Sequence, residues 1–326
     1  METILITGGA GYVGAVLTPK LLDLGYRVKV IDLMIYGEDV IEEHANLEMI
    51  KGDIRDQPLL DKLLTGADYV IHLACISNDP SFDLNPELGR SINLDAFEPL
   101  VKLSQTKGVK RFIYASSSSV YGVKDVENVS EDMVLEPLTD YSVFKADCEK
   151  ILAKYKSDDF ITVTIRPATV CGYSPRQRLD VVVNILTNFA YHKGSIKVFG
   201  GEQLRPNIHI QDMTNLYAEL LTMPAEKING EIFNAGYENQ KVITLAHTVK
   251  EVLGDDINIE VEPTDDNRSY HISSQKIKDR LGFTPKFTIK DAVIELKQAF
   301  DQGLLPNALD DKRYFNIKTM LDLHLE

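Results

Sequence analysis

The sequence predicts an α/β fold in which a doubly wound parallel sheet carries a smaller mixed α/β lobe toward its C-terminal end. Three observations predict it. Between residues 3 and 166, short apolar runs alternate with helical stretches, the order that builds βαβ units and so parallel strands. The first junction is a glycine-rich turn, Gly8-Gly-Ala-Gly11-Tyr12-Val13-Gly14. After Pro167 the regular alternation gives way to short strands and helices mixed less evenly. The expected division is residues 1–166 for the sheet domain and 167–326 for the lobe, with segments of the second half returning to the first.

The apolar run Thr3-Ile-Leu-Ile-Thr7 reads as a buried parallel strand. In the turn that follows, Gly8 permits the tight bend, Gly11 lets backbone approach a pyrophosphate and Gly14 packs the next helix closely, with the helix N-terminus facing the negative charge. That helix extends to Leu24 and contains Pro19, at the expected cost of one hydrogen bond. Residues 27–31 form a second strand with Asp32 at its end. An acidic side chain there accepts hydrogen bonds from an adenosine ribose and repels a 2′-phosphate, which favours NAD over NADP. A third strand at 47–51 leads into Gly52-Asp53-Ile54 and a helix to Leu64. The fourth, at 69–73, runs from Tyr69 to Leu73 and into Ala74-Cys75, where small residues leave room for a flat cofactor. The polar loop 77–86 reads as a wall of the substrate pocket. A continuous helix is expected over 87–107, then a fifth strand at 111–115.

The fifth strand ends in Ser116-Ser117-Ser118-Ser119-Val-Tyr121-Gly122, and a helix begins near Tyr141. Both fall at the carboxyl edge of the sheet, where open α/β sheets bind ligands. Tyr141-Ser-Val-Phe-Lys145 puts a phenol and an ammonium on one helix face. A free phenol, with a pKa of about 10, is a poor base at neutral pH, and a fixed cation favours its phenolate. Neutrality asks for roughly 4 kcal/mol, more than one lysine supplies, so the pair makes most sense beside an oxidised nicotinamide ring. In isolation it reads rather as a buried tyrosine and a solvated lysine on an amphipathic helix, and the rest of the chain reverses that preference. A sixth strand at 160–166 leads into Pro167. Beyond it, Arg176, Arg178, Arg205 and Arg268 lie in or beside expected loops. If they converge they form a phosphate clamp, since forked guanidinium groups suit phosphate oxygens; otherwise they are solvated. Helices are expected at 211–223, 244–253, 274–281 and 289–302, and the tail 303–326 ends in an apolar stretch that packs on the body or on a partner.

Bulk composition limits the partners. A formal net charge of −14 and a pI near 5.0 argue against a general nucleic-acid or anionic-membrane surface, both of which need basic patches. Cys75, Cys148 and Cys171 match no metal spacing, and the seven histidines form no ligand pair. No basic leader or long apolar run is present, so neither a signal peptide nor a membrane span is expected, and the expected location is the cytoplasm.

Taken in order, Thr7 to Gly14, Gly52-Asp53, His72-Leu73-Ala74, the serine run ending at Gly122, Tyr141 with Lys145, and Arg205-Pro-Asn-Ile-His209-Ile-Gln-Asp212 resemble the extended short-chain dehydrogenase/reductase family, specifically its nucleotide-sugar epimerases and dehydratases. The resemblance implies a Rossmann-type domain carrying NAD and a lobe gripping a nucleotide-diphosphate sugar. It implies Ser117 as the catalytic hydroxyl, Tyr141 as base and Lys145 as its electrostatic partner and ribose contact. Gly8, Gly11, Tyr12, Val13, Gly14, Asp32, Asp53, Ile54, Leu73, Ala74, Cys75 and Pro167 would complete the cofactor site. Arg205 and Arg268 would bind the diphosphate, and Asn93 would line the pocket. Two departures narrow the reaction. Ser118 and Ser119 stand where 4,6-dehydratases of the family carry Asp-Glu or Ser-Glu, and without a carboxylate the elimination loses its proton relay. Thr169 replaces the family's asparagine, while Arg176-Gln-Arg178-Leu-Asp180 suggests a substrate grip of its own. The expected reaction is 4-epimerisation through transient oxidation at C4. The alternatives are a 4-dehydrogenase that releases the 4-keto sugar and a non-catalytic NAD-binding scaffold. A homodimer through the helix of Tyr141 and the helix after Leu88 is implied as well.

Overall fold

A single all-parallel sheet organises the chain. The computed structural model describes residues 1–77, 79–82, 84–126, 128–264 and 269–323. Its strands are β1 (Thr3–Thr7), β2 (Arg27–Asp32), β3 (Leu47–Lys51), β4 (Tyr69–His72), β5 (Arg111–Ala115), β6 (Ile161–Pro167), β7 (Thr169–Cys171), β8 (Ser195–Phe199), β9 (Leu204–His209), β10 (Glu231–Ala235), β11 (Glu238–Lys241) and β12 (Asn258–Glu262). Seven of them form the main sheet in the order β10-β6-β5-β4-β1-β2-β3, paired in parallel throughout. Strand β10 comes from the C-terminal half and closes the edge beside β6.

The sheet is buried on both faces, which is why β1 and β4 are buried at every position. Side chains alternate across it. Ile4, Ile6, Val28 and Val30 pack beneath the helices Gly14–Asp23 and Ile210–Leu220. Leu5, Ile31, Val70 and Phe112 face the helices Gln57–Leu64, Phe97–Thr106 and Asp140–Ala153. Strand β1 pairs with β2 on one side and β4 on the other, so the order reverses there, and a ligand crevice opens at such a reversal. The lobe adds the sheet β11-β9-β7 and the pair β12-β8, with the helices Val182–Lys193, Val242–Leu253 and Ile289–Asp301 around a core of their own.

Three local expectations need correction. The continuous helix over 87–107 is broken into Pro86–Arg90, a π-helical turn Ser91–Asp95, and Phe97–Thr106. The turn buries Asn93, whose Oδ1 accepts from the Ile76 N–H at 2.8 Å and whose Nδ2 donates to the Ile76 carbonyl at 3.0 Å. Secondly, the segment read as the polar loop 77–86 contains a helical turn, Asp79–Phe82, that buries Phe82 edge-on against Phe144; Asn78 and Asp83 lie outside the described residues. Thirdly, the helix Val182–Lys193 has no counterpart in the sequence reading. Its valine and isoleucine content favours a strand locally, and packing in the lobe core overrides that preference. Pro19 does sit inside the first helix, and nothing in the structure explains it.

Candidate active site

One cavity runs along the carboxyl edge of the sheet and is lined by residues of both the sheet domain and the lobe. At its centre the glycine turn is pressed against the end of β4. Gly8 adopts φ +74°, and a Cβ there would come 2.6 Å from the Ala74 nitrogen. A Cβ at Gly14 would come 2.4 Å from the Gly9 carbonyl oxygen. Beneath the turn, Thr7 Oγ1 and His72 Nδ1 are 2.7 Å apart, joining β1 to β4. Burial, followed by the nearby Lys145 charge, pushes the His72 imidazole down to about 3.

A buried neutral histidine ties stability to pH. The unfolded chain takes up this proton near ~6.5, the folded one only near 3. The contribution is therefore complete above the unfolded value and is lost as pH falls between the two. Each unit is worth roughly 1.4 kcal/mol, so this group removes roughly 3 kcal/mol of folding stability between pH 7 and pH 4. Urea unfolding at both pH values checks this: the drop should be smaller in His72→Gln, and an equal drop in variant and wild type would refute it.

Asp32 borders the cavity at the end of β2. Its Oδ2 accepts from the Ala10 N–H at 3.0 Å and its Oδ1 from the Met34 N–H at 2.8 Å. Burial pushes this carboxyl up, against those two bonds and the Arg176 charge. Asp53 also borders the cavity and pairs with Arg55 at 2.7 Å. Tyr12 staples the glycine turn to the lobe, since its hydroxyl donates to the Gly172 carbonyl at 2.7 Å and accepts from Asn184 Nδ2 at 3.0 Å. Gly11, Val13, Ile54, Leu73, Ala74, Cys75 and Pro167 line the same cavity.

The far wall carries hydroxyls. Ser116 to Ser119 and Tyr141 border the cavity together. Ser117 caps the 3-10 turn Ser118–Tyr121, and its Oγ lies 2.8 Å from Ser119 Oγ, which accepts from Ser142 Oγ at 2.9 Å. Thr139 caps the helix Asp140–Ala153, so Tyr141 falls in its first turn and Lys145 one turn later. Lys145 is 5% exposed and stands behind the wall rather than in it. Its Nζ donates to the Ala115 carbonyl at 2.7 Å and sits 5.8 Å from the Tyr141 ring centroid. The buried-tyrosine, solvated-lysine alternative is thus inverted: the lysine is buried and the tyrosine meets the cavity.

Arg176, Arg178 and Arg205 converge on this one cavity. They are not equivalent. Arg178 is paired with Asp180 at 2.8 Å, Arg205 lies 5.1 Å from the Tyr270 ring, and Arg176 stacks on Tyr36 at 3.6 Å. Arg268 lies outside the described residues. Asn93, expected to line the pocket, does not: its amide is spent on the Ile76 backbone, so it fixes the loop beside the cavity instead. Sequence reasoning missed Tyr36, Tyr270 and Asn316, which border the cavity, as does Ser77 at the start of the loop read as a pocket wall. Only Asn316 carried a signal, as a polar residue between Phe315 and Ile317. Among the described residues no group of His, Cys, Asp or Glu could hold a metal ion, and no helix is long and apolar enough to cross a membrane.

A glycine turn with no room for side chains, a helix N-terminus behind it and a carboxylate at the end of the next strand define a dinucleotide-binding site. A sequence profile described as the NAD dependent epimerase/dehydratase family matches residues 4–236, and the chain belongs to that family. UDP-glucose 4-epimerase of Corynebacterium glutamicum is 27% identical over 321 residues, covering 92% of this chain and 96% of that protein. UDP-glucuronic acid decarboxylase 1 of Arabidopsis thaliana is 28% identical over 320 residues, covering 93% and 70%. Among solved structures, UDP-glucuronic acid 4-epimerase from Bacillus cereus, in complex with UDP-glucuronic acid and NAD, superimposes with a TM-score of 0.81 at 26% identity, covering 92% of this chain and 99% of that one. The cofactor is NAD, as the family name states, and the crowding at Gly8 and Gly14 together with Asp32 fits it.

Proposed function

We propose that this protein is an NAD-dependent 4-epimerase of a nucleotide-diphosphate sugar, acting through transient oxidation at C4. One observation carries the reading. Among the described residues, the wall that holds Tyr141 presents only hydroxyls from Ser116 to Ser119, while the carboxylates that border the cavity, Asp32, Asp53 and Asp180, come from β2, the loop after β3 and the arginine loop. A site that must expel a C6 hydroxyl needs an acid and a base beside the catalytic serine. A site that only removes and returns a proton and a hydride at C4 does not. The relatives named as 4-epimerases support the same reading, and the decarboxylase relative marks how far the family's chemistry ranges.

In this scheme Tyr141, as phenolate with the Lys145 ammonium behind its ring, takes the proton of the sugar 4-hydroxyl. Ser117 holds the same oxygen and shares that proton through its own hydroxyl. Bound NAD supplies a reversible hydride acceptor. The 4-keto sugar turns over while the arginines keep its diphosphate in place, and Tyr141 returns the proton to the new alcohol. The sugar ring must rotate without leaving, which is why the phosphate grip matters as much as the base.

Product analysis with a panel of nucleotide sugars tests the proposal. The expected outcome is a C4 epimer at equilibrium with no build-up of reduced cofactor. Stoichiometric reduction of NAD with release of a 4-keto sugar would instead identify a 4-dehydrogenase, and absence of any hydride transfer would leave an NAD-binding scaffold.

A further inference from the structure

The C-terminal segment enters the cavity wall at one residue. Asn316 opens the helix Asn316–Asp322 and is 1% exposed. Its backbone N–H donates to Asp180 Oδ2 at 2.7 Å and its Nδ2 donates to Ser77 Oγ at 2.8 Å. Its Oδ1 accepts from Arg176 Nη2 at 2.7 Å. A single buried amide therefore joins the tail to the loop after β4 and to the loop after β7.

The third of these bonds fixes Arg176. The guanidinium lies against the Tyr36 ring, 3.6 Å from its centroid, and Tyr36 belongs to the loop that follows Asp32. Arg176 is 3% exposed, and its Nε and Nη1 are buried with no hydrogen-bond partner. Burial lowers it to about 10, with the Asp180 and Asp32 carboxylates opposing that shift. Buried donors without acceptors are costly, and the guanidinium fork matches phosphate oxygens. The corner it occupies is the Asp32 and Tyr36 end of the cavity, where a carboxylate is placed for ribose hydroxyls and a cation for the adjoining phosphates.

We propose that Arg176, held in place by Asn316, is a cofactor-binding residue that takes an oxygen of the dinucleotide's pyrophosphate, so that the C-terminal segment retains NAD. This rests on the cavity being the NAD site, and it moves Arg176 from the sugar-nucleotide grip to the cofactor. The assignment differs from a substrate clamp in what each ligand loses when the side chain changes.

Calorimetric titration of the full chain with NAD, and separately with UDP as the substrate-side probe, decides between them. Arg176→Met and Asn316→Ala should each weaken NAD binding by about tenfold or more, the scale of one charged hydrogen bond, with UDP binding unchanged. Weaker UDP binding with NAD unaffected would overturn the proposal, as would wild-type affinity for both. Should either variant fail to fold by circular dichroism, Arg176→Lys keeps the charge but loses the fork; reduced NAD affinity supports the proposal and full affinity defeats it. A wild-type chain that binds no NAD would count against the cavity as the NAD site, a separate failure.

Discussion

Tyr141→Phe lowers kcat by about 10³-fold and leaves NAD affinity near the wild-type value. The substitution keeps the ring and the first helical turn and removes one oxygen. General acid–base catalysis by a positioned side chain contributes about 10²–10⁴-fold, and in the proposed scheme that one oxygen handles the proton in both half-reactions. Among the described residues, the other groups of this wall are the hydroxyls of Ser116 to Ser119, none of them a phenol, and Lys145 behind it is committed to the Ala115 carbonyl. Steady-state kinetics paired with NAD titration check the expectation. Turnover within a few-fold of wild type would place the base elsewhere.

Glu149→Ala destabilises the fold by about 3–5 kcal/mol, the scale for removing one partner of a buried ion pair. Glu149 and Arg166 each have side chains only 3% exposed. Arg166 Nε donates to Oε1 at 2.9 Å and Nη2 to Oε2 at 2.6 Å, a two-point contact. Ser116 Oγ donates to the same carboxylate at 2.5 Å. From the other end of the guanidinium, Nη1 donates to the Tyr121 hydroxyl at 2.7 Å, which in turn donates to Asn234 Oδ1 at 2.7 Å. The network ties the helix of Tyr141 to the end of β5, the 3-10 turn, β6 and β10. Without the carboxylate a buried cation loses its counter-charge. Urea denaturation measures the loss, and Glu149→Met with Arg166→Met together should recover part of it, because replacing both charges by apolar groups leaves no buried charge unpaired, although Ser116 Oγ then loses its acceptor. A single-variant cost under about 1 kcal/mol would contradict this, that being the scale of an exposed pair. Activity should fall with stability, since Ser116 and Tyr121 flank the serine that the proposed chemistry uses.

Much of this was legible in the sequence because it is local. The strand, glycine turn and helix at residues 3–23 form from neighbours in the chain, and Tyr141 with Lys145 shares a helix face by spacing alone. What escaped depends on contacts between distant segments. The π-helical turn Ser91–Asp95 accompanies the tether of Asn93 to the Ile76 backbone, and no periodicity encodes it. A return of the second half to the first is expected from the sequence, but that β10 is the strand pairing with β6 is a choice of partner, not of conformation. Arg178 reads as a free cation until Asp180 is seen beside it. Asn316 reaches Ser77 across 239 positions, and only the folded chain brings the two together.

The central claim is that C4 of a bound sugar is oxidised and reduced again within one cavity that never releases the intermediate. A nucleotide sugar carrying deuterium at C4 tests it most directly. The account predicts that the recovered epimer keeps its deuterium at C4 while reduced cofactor does not accumulate. Deuterium found in released reduced cofactor, with a free 4-keto sugar alongside, would contradict it.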